Sequence, residues 1–465
     1  MKMDLKGIRQ LTPIALAAIG LWALPSLSNA QSLEQAVAHA LDTNPEVRIS
    51  YNRFKANQEI HNQAWSGYLP SVDLTAGYGI EYTDSPSTRR DSSLGAKIDD
   101  RTERLNRGEL GISIRQLVFD GFYTSSESER TDFEASAAQW SLFSKAEDVA
   151  LDVVKVYIGV LHAQEILTLA EKNLTTHQDI FDQIKQKTSS GLGSTADLSQ
   201  ITGRLARANA NVVAAKNNLL DAQSQFFRVV SQQPKDIVAP VPDADMLPKN
   251  LAETLLLANE NHPTLKAANS DINAAKSAQS TAKSGYYPKI TLELNGTANN
   301  DTNGEDGVTN KPPFQTDVGG HTNNYSAMLK LRYNLYAGGK DLAKENESAY
   351  RISEAKEVRE RAHREVVEGV NLSWNALDLL TPQKQYIRQH VEAAKETQKA
   401  YVQQFRLGQR TLLDLLDTEN ELFESRKAYL RAELDEVVAK YRVLNSTGRL
   451  LDSLRVTRPP EWQGK

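Results

Sequence analysis

The chain has no cysteine among its 465 residues. Disulfide staples and thiolate metal sites are therefore excluded, as is a lipid-bearing cysteine behind a leader. Its eight histidines are scattered, with no HExxH and no other paired spacing, so no metal or cofactor is expected. Excess charge is small too. A net charge of −5 offers no basic field to a nucleic acid. Past the leader no apolar run of roughly 18 residues occurs, and no transmembrane helix is expected. Proline is missing from very long stretches, and aromatic residues are only 7% of the chain, which makes the placement of both informative.

What is present begins with a secretory leader over residues 1–30. Lys2, Lys6 and Arg9 form its positive start, Leu11 to Leu24 its apolar run, and Ser28-Asn29-Ala30 its cleavage signal. The mature chain is expected to start at Gln31.

An internal duplication organises the rest. "SLEQAVAHALDTNPEVRI" resembles "NLAETLLLANENHPTLKA", and "SGYLPSVDL" resembles "SGYYPKITL". Pro45 thus aligns with Pro263, "VFDGF" (118–122) with "LYAGG" (335–339), Gly191 with Gly408, and Asp197 with Asp414. The spacing slips by a single residue along the whole copy. The copies span 31–230 and 251–450, joined by a Pro-rich linker over 231–250 and followed by a tail over 451–465. Each reads as a helix, a Gly-Tyr-x-Pro mark, a strand, a polar loop, a second strand, a very long helix, a Gly turn and a return helix.

Four segments alternate with period two: 71–82, 109–119, 289–298 and 325–336. Val72, Leu74, Ala76, Tyr78 and Ile80 take one face of the first; Leu110, Ile112, Ile114 and Val118 take one face of the second. Such segments could be hairpins on a soluble core. Three features favour a membrane barrel. The strands have the length that crosses a bilayer when tilted. Tyr68, Tyr82, Phe119, Phe122, Tyr286, Tyr287, Tyr325 and Tyr336 sit at strand ends as girdles do. A long polar loop covers 295–324. Four strands cannot close, and open edges are not tolerated in lipid. A dimer would give an eight-stranded barrel, which its own side chains fill. A through-channel favours a trimer with a 12-stranded barrel.

From Gly121 to Gly191 no proline occurs, and from Gly338 to Gly408 only Pro382 does. At about 1.5 Å per residue each run spans on the order of 100 Å, the scale of a coiled coil. The segments 45–66 and 197–230 fit end to end beside one long helix, and 263–284 with 414–447 beside the other. The Gly turns then lie far from the membrane.

With the "NP" and "GYxP" marks, the "FDG" and "YAGG" turns and "GQRTLLDLLDTENELF" (408–423), the mature chain resembles the TolC family of outer-membrane efflux and secretion channels. The resemblance implies an α+β membrane protein: a homotrimeric 12-stranded barrel continued by a coiled-coil helical barrel in the periplasm. It implies docking of a periplasmic membrane-fusion adaptor and an inner-membrane transporter, of ABC type if the chain belongs with the type I secretion channels it resembles most, including those that export large adhesins. Asp414 and Asp417 match the acids that line the periplasmic mouth, where a ring of carboxylates favours cations. Acids in a first helical turn also offset the helix dipole by roughly 0.3–1 kcal/mol, which is explanation enough for Asp197. Gln200 stands where copy one would need its second acid. Arg410 matches a gating residue tied to a helix end at the position of Asp197. Phe405 stands in place of a gating tyrosine, Ile180 and Val402 in place of polar gate partners, and Ala196 in place of a threonine. Packing of Phe405 is therefore the alternative hold on the gate. Gly191, Gly193 and Gly408 mark the tip turns where an adaptor would dock.

Other classes fit less well. Ser280-Thr281-Ala282-Lys283 matches SxxK without the companion motifs of a serine acyl-enzyme, and "GLGSTA" (191–196) follows a helix instead of a strand. No enzyme is expected. A periplasmic adaptor or coiled-coil structural protein would lack the membrane-length strands, and a multidrug efflux channel remains the alternative to type I secretion.

Overall fold

The computed structural model describes residues 31–84, 103–302 and 320–463. The leader and most of the long loop between the last two strands lie outside them. Each copy is built alike. In copy one, helices α1 (Leu33–Thr43) and α2 (Pro45–Trp65) precede strands β1 (Ser71–Thr83) and β2 (Glu103–Phe119), then α3 (Tyr123–Ser189) and α4 (Thr195–Val230). In copy two, α5 (Leu251–Asn261) and α6 (Pro263–Lys283) precede β3 (Lys289–Asp301) and β4 (Gly320–Arg332), then α7 (Lys340–Arg406) and α8 (Leu412–Ser446). A short α9 (Leu450–Ser453) follows. Both long helices have 67 residues.

Local chemistry sets these boundaries. Pro45 and Pro263 occupy the first turns of α2 and α6, where a missing N–H costs nothing. The residue before each caps the helix. Asn44 Oδ1 accepts from the N–H of Glu46 at 2.9 Å, and His262 Nδ1 accepts from that of Thr264 at 3.3 Å. Asp120 of the "FDG" turn holds the N–H and hydroxyl of Thr124, at 2.8 and 2.6 Å. Gly121 takes φ +72°, and a Cβ there would lie 2.7 Å from the carbonyl oxygen of Ser284. That close approach joins the strand-to-helix turn of copy one to the Gly-Tyr mark of copy two.

The four strands form one antiparallel meander in chain order. Leu74 stands opposite Ile112, Ile112 opposite Gly296, and Gly296 opposite Tyr325, so one face is apolar across the sheet. The strands differ from the segments read in the sequence: β2 starts six residues before 109 and β3 runs three beyond 298. Val118 is the extra residue of a bulge, and Phe119 takes the place opposite Ile290. β4 also starts and ends earlier than 325–336, because pairing with β3 stops at Arg332 opposite Lys289. Beyond it Asn334 Oδ1 accepts the N–H of Tyr336 at 3.2 Å, a local turn that competes with strand.

One stretch of α3 has a mean hydropathy of 1.4 over 18 residues, enough by composition to cross a membrane. It is instead the centre of the helical packing, touching α2, α4, α6 and α8. Its buried Val149, Val153, Tyr157 and Val160 meet Leu33, Val37, Phe226 and Leu444. Tyr157 donates its hydroxyl to the Gln31 carbonyl at 2.7 Å and accepts from the N–H of Val238 at 3.0 Å, which pins the inter-copy segment to the core. Glu147 is buried under the C-terminal segment and accepts the N–H of Leu450 at 3.0 Å. Burial pushes its carboxyl up to about 7, against the opposing pull of Arg458.

α7 is the contrast. It touches α5, α6 and α8, yet buries only Ser348, Val370, Ser373 and Ala394. It runs unbroken through Pro382, which removes one internal hydrogen bond at a cost of about 3 kcal/mol. Just beyond, Lys384 and Lys440 both pair with the buried Glu436 of α8. The helices therefore lie side by side in the order α2 with α4, then α3, then α6 with α8, then α7. The strands follow the same order, and both layers have open sides.

Candidate functional site: the helical tip

The tip is made by two matched turns. α3 and α7 both end in a Schellman motif. Gly191 N–H bonds the Thr188 carbonyl at 3.1 Å and Leu192 N–H that of Lys187 at 2.9 Å. Gly408 N–H bonds the Phe405 carbonyl at 3.1 Å and Gln409 N–H that of Gln404 at 2.8 Å. The motif needs a left-handed residue, and Gly191 (φ +77°) and Gly408 (φ +74°) supply it. Gly193 answers a different demand. A Cβ there would meet the Thr188 backbone nitrogen at 2.8 Å.

α8 opens with a capping box. Thr411 Oγ1 accepts the N–H of Asp414 at 3.2 Å, and the Asp414 carboxylate accepts from the Thr411 N–H and hydroxyl at 3.2 and 2.9 Å. Those two bonds, with Arg410 nearby, hold the Asp414 carboxyl below its usual range. Asp417 lies one turn on and exposed. Arg204 of α4 pairs with it at 2.8 Å. The two acids thus share a face but not an environment: one is tied to its own helix start, the other to a neighbouring helix.

Beneath them Ile184, Ile201, Leu412 and Leu416 form a buried cluster that joins α3, α4 and α8. Ile180, Phe181, Leu198 and Phe405 pack on it. The Lys187 ammonium lies 5.4 Å from the Phe405 ring centroid. Arg410 turns the other way within its own hairpin. Its guanidinium lies 4.3 Å from the Tyr401 ring centroid, and its Nε donates to Gln404 at 3.1 Å. Among the described residues of one chain, Arg410 and Asp197 are not brought together as an ion pair.

A family model described as outer membrane efflux protein matches residues 36–230 and again 255–449. The chain belongs to that family. The two matches are the two copies of the duplication. The outer membrane efflux protein BepC of Brucella suis biovar 1 is 24% identical, over 96% of this chain and 91% of its own length. The outer membrane protein TolC of Escherichia coli K12 is also 24% identical, over 95% and 87%. The alkaline protease secretion protein AprF of Pseudomonas aeruginosa is 20% identical, over 87% and 82%. The fold matches the crystal structure of the Campylobacter jejuni CmeC outer membrane channel, with a TM-score of 0.73 at 14% identity, covering 90% of this chain and 86% of that one. Outer membrane efflux proteins of the TolC type are transport proteins, not enzymes, and act as trimers with adaptors and inner-membrane pumps. This chain is accordingly an outer-membrane channel with a periplasmic helical extension.

The motifs that mimic enzymes have ordinary roles. Ser280 donates to the Lys276 carbonyl one turn back in α6, and "GLGSTA" is the α3–α4 tip turn. The residue the sequence reading missed is Arg204. The available signal was its spacing, two turns along α4 on the same face as Asp197, which points it toward the acidic start of the neighbouring hairpin.

Proposed function

We propose that this channel is the outer-membrane duct of a type I protein-secretion machine. Three chains close the barrel, and a periplasmic membrane-fusion adaptor and an ABC-type inner-membrane transporter dock at the tip. The observation that carries the reading is the wall of the barrel. In its middle rows the lumen side presents Asp73, Thr75, Gly111, Ser113, Asn295, Thr297 and Ser326. Small polar groups hydrate a passing polypeptide and offer no apolar pocket to a drug. A relative named for protease secretion, AprF, supports it. Multidrug efflux is the second reading, and BepC is named as an efflux protein. Deletion of the gene separates them. Loss of one or more large proteins from the medium, with drug susceptibility unchanged, is the expected result. Drug hypersensitivity with an intact set of secreted proteins would replace the first reading by the second.

At the tip, Asp414 and Asp417 form the acidic ring of the closed mouth, and Gly191, Gly193 and Gly408 shape the turns an adaptor grips. Arg410 reaches Asp197 of the adjacent protomer in the resting trimer, while packing of Phe405 supplies the hold within each protomer. Its position on the apolar cluster that joins α3, α4 and α8 supports that role.

A further inference from the structure

The lumen-side charges of the barrel sort by height. Near the outer end Glu81 and Glu109 flank Arg107, with Asp301 opposite Arg107. The middle rows carry a single charge, Asp73 opposite Ser113. At the periplasmic end, where the strands meet the helices, four cations gather: Arg115 of β2, Lys289 of β3, and Lys330 and Arg332 of β4. Glu293 is the carboxylate among them. Arg115 lies 3.6 Å from it and Lys330 pairs with it as well. Glu293 is largely covered, with 16% of its side chain exposed, while Arg115 and Lys330 keep 65% and 49%. The carboxylate is held between the two cations, which stay exposed.

A second observation shows that strand pairing alone does not explain this. Lys289 stands directly opposite Arg332. Like charges at opposed positions destabilise a sheet. Lys289 is drawn toward the Tyr123 ring, 5.5 Å from its centroid. Arg332 has no carboxylate within ion-pair distance among the described residues. In a closed barrel each chain would add the same pair to the end of the sheet that meets the helices.

We infer that the base of the barrel is an anion-binding collar, built by Arg115, Lys330 and Arg332, that engages the carboxylates of an acidic polypeptide in transit. The polypeptide as ligand rests on the secretion reading; the anion site itself does not. Guanidinium and ammonium groups on a narrow wall bind carboxylate oxygens by charge-assisted hydrogen bonds. Because they are exposed, the attraction is screened by salt, so a chain is slowed without being trapped. The pore is then bipolar along its length, with carboxylates at the tip and cations where the helical tunnel opens into the barrel.

The test is block of single-channel current in planar bilayers, using the full-length trimer and a short poly-L-aspartate added on the barrel side. The wild-type channel is expected to show transient block that fades as salt is raised. The triple variant Arg115→Gln, Lys330→Gln, Arg332→Gln should lose it by at least about tenfold in apparent affinity, the effect of one or more charge-assisted bonds. Block by poly-L-lysine from the tip side should persist in that variant. Should the triple variant fail to form trimers, Arg332→Gln alone leaves both ion pairs of Glu293, with Arg115 and Lys330, in place and is expected to weaken block in the same direction. Absence of poly-L-aspartate block in the wild type, or unchanged block in the variants, overturns the collar. Intact block in a channel whose deletion leaves secretion untouched would overturn the polypeptide ligand and leave the anion site standing.

Discussion

At the scale of single residues, one half-buried and one buried group give the fold opposite responses to pH. His262 accepts a backbone N–H at the start of α6, which requires its neutral ring. Burial lowers its pKa from 6.5 to about 4. Its contribution is present above 6.5 and is lost as pH falls toward 4. Glu147 is raised from 4.5 to about 7 by burial. Its contribution is full below 4.5 and is lost as pH rises through 7. His262→Asn, the residue copy one uses at Asn44, should therefore hold its thermal stability on acidification better than the parent, as read by trimer dissociation on heating. Glu147→Gln should flatten the decline on the neutral side. At the tip, Asp414→Ala with Asp417→Ala should reduce cation selectivity in bilayers. Asp414→Ala is expected to have the larger single effect, since Arg204 already offsets Asp417. Equal selectivity in parent and double variant would remove the acidic ring.

At the scale of elements, the strands carry the sharpest expectation. Alternation with the observed register puts Leu74, Ile112, Leu292 and Leu331 on one side and Asp73, Ser113, Glu293 and Lys330 on the other. Only the first set can face lipid without burying charge. The chain has no native cysteine, so single cysteines report cleanly. Water-soluble thiol reagents should label the second set in the assembled channel and spare the first. The tip turns are the other element-scale test. A Cβ at Gly191 or Gly408 costs roughly 1–2 kcal/mol through its left-handed backbone. The strain falls on the last turn of α3 or α7, so adaptor binding should weaken before trimer stability does.

At the scale of the whole molecule, the open sides of the two layers specify what must cover them. β1 and β4 are the sheet edges, and open edges are not tolerated in lipid. α7 exposes Leu372, Leu379 and Tyr386, and α4 exposes Val213, Leu220 and Phe227, all half exposed or more. Both stripes repeat every seven residues, the period of a coiled-coil seam. Measured from the Gly turns they lie at the same heights, which pairs Tyr386 with Val213, Leu379 with Leu220 and Leu372 with Phe227 of the next chain. Leu379→Cys with Leu220→Cys should give covalent trimers on oxidation. Leu379→Cys with Val213→Cys, one heptad out of step, should not, because bridged Cα atoms must lie within about 7 Å. The gate belongs to this scale too. An exposed Arg410–Asp197 pair between chains contributes about 0–1 kcal/mol, but it repeats around the ring. Arg410→Ser should raise single-channel conductance and admit vancomycin without loss of trimer, and the charge swap Arg410→Asp with Asp197→Arg should partly restore closure. Parental conductance in Arg410→Ser would shift the gate to Phe405.

The sequence by itself determined the duplication, the period-two strands, the long helices and their glycine ends. These are local matters: side-chain period, proline at a first helical turn, glycine where the backbone must turn left-handed. Hence α2, α3, α4, α6, α7 and α8 begin and end within two residues of where the pattern put them. Only the tertiary structure decided the rest. The bulge at Val118 and the early end of β4 follow from pairing with β3, which lies far along the chain from β2. The same is true of Arg204 reaching Asp417 and of Glu147 beneath the C-terminal segment. Arg115, Glu293, Lys330 and Arg332 are unremarkable in three separate strands, and become neighbours because hydrogen-bond register sets Arg115 opposite Glu293 and brings Lys330 and Arg332 into the next two rows toward the helices. Periodicity tells which face a residue takes; it carries no information on which distant residue stands opposite.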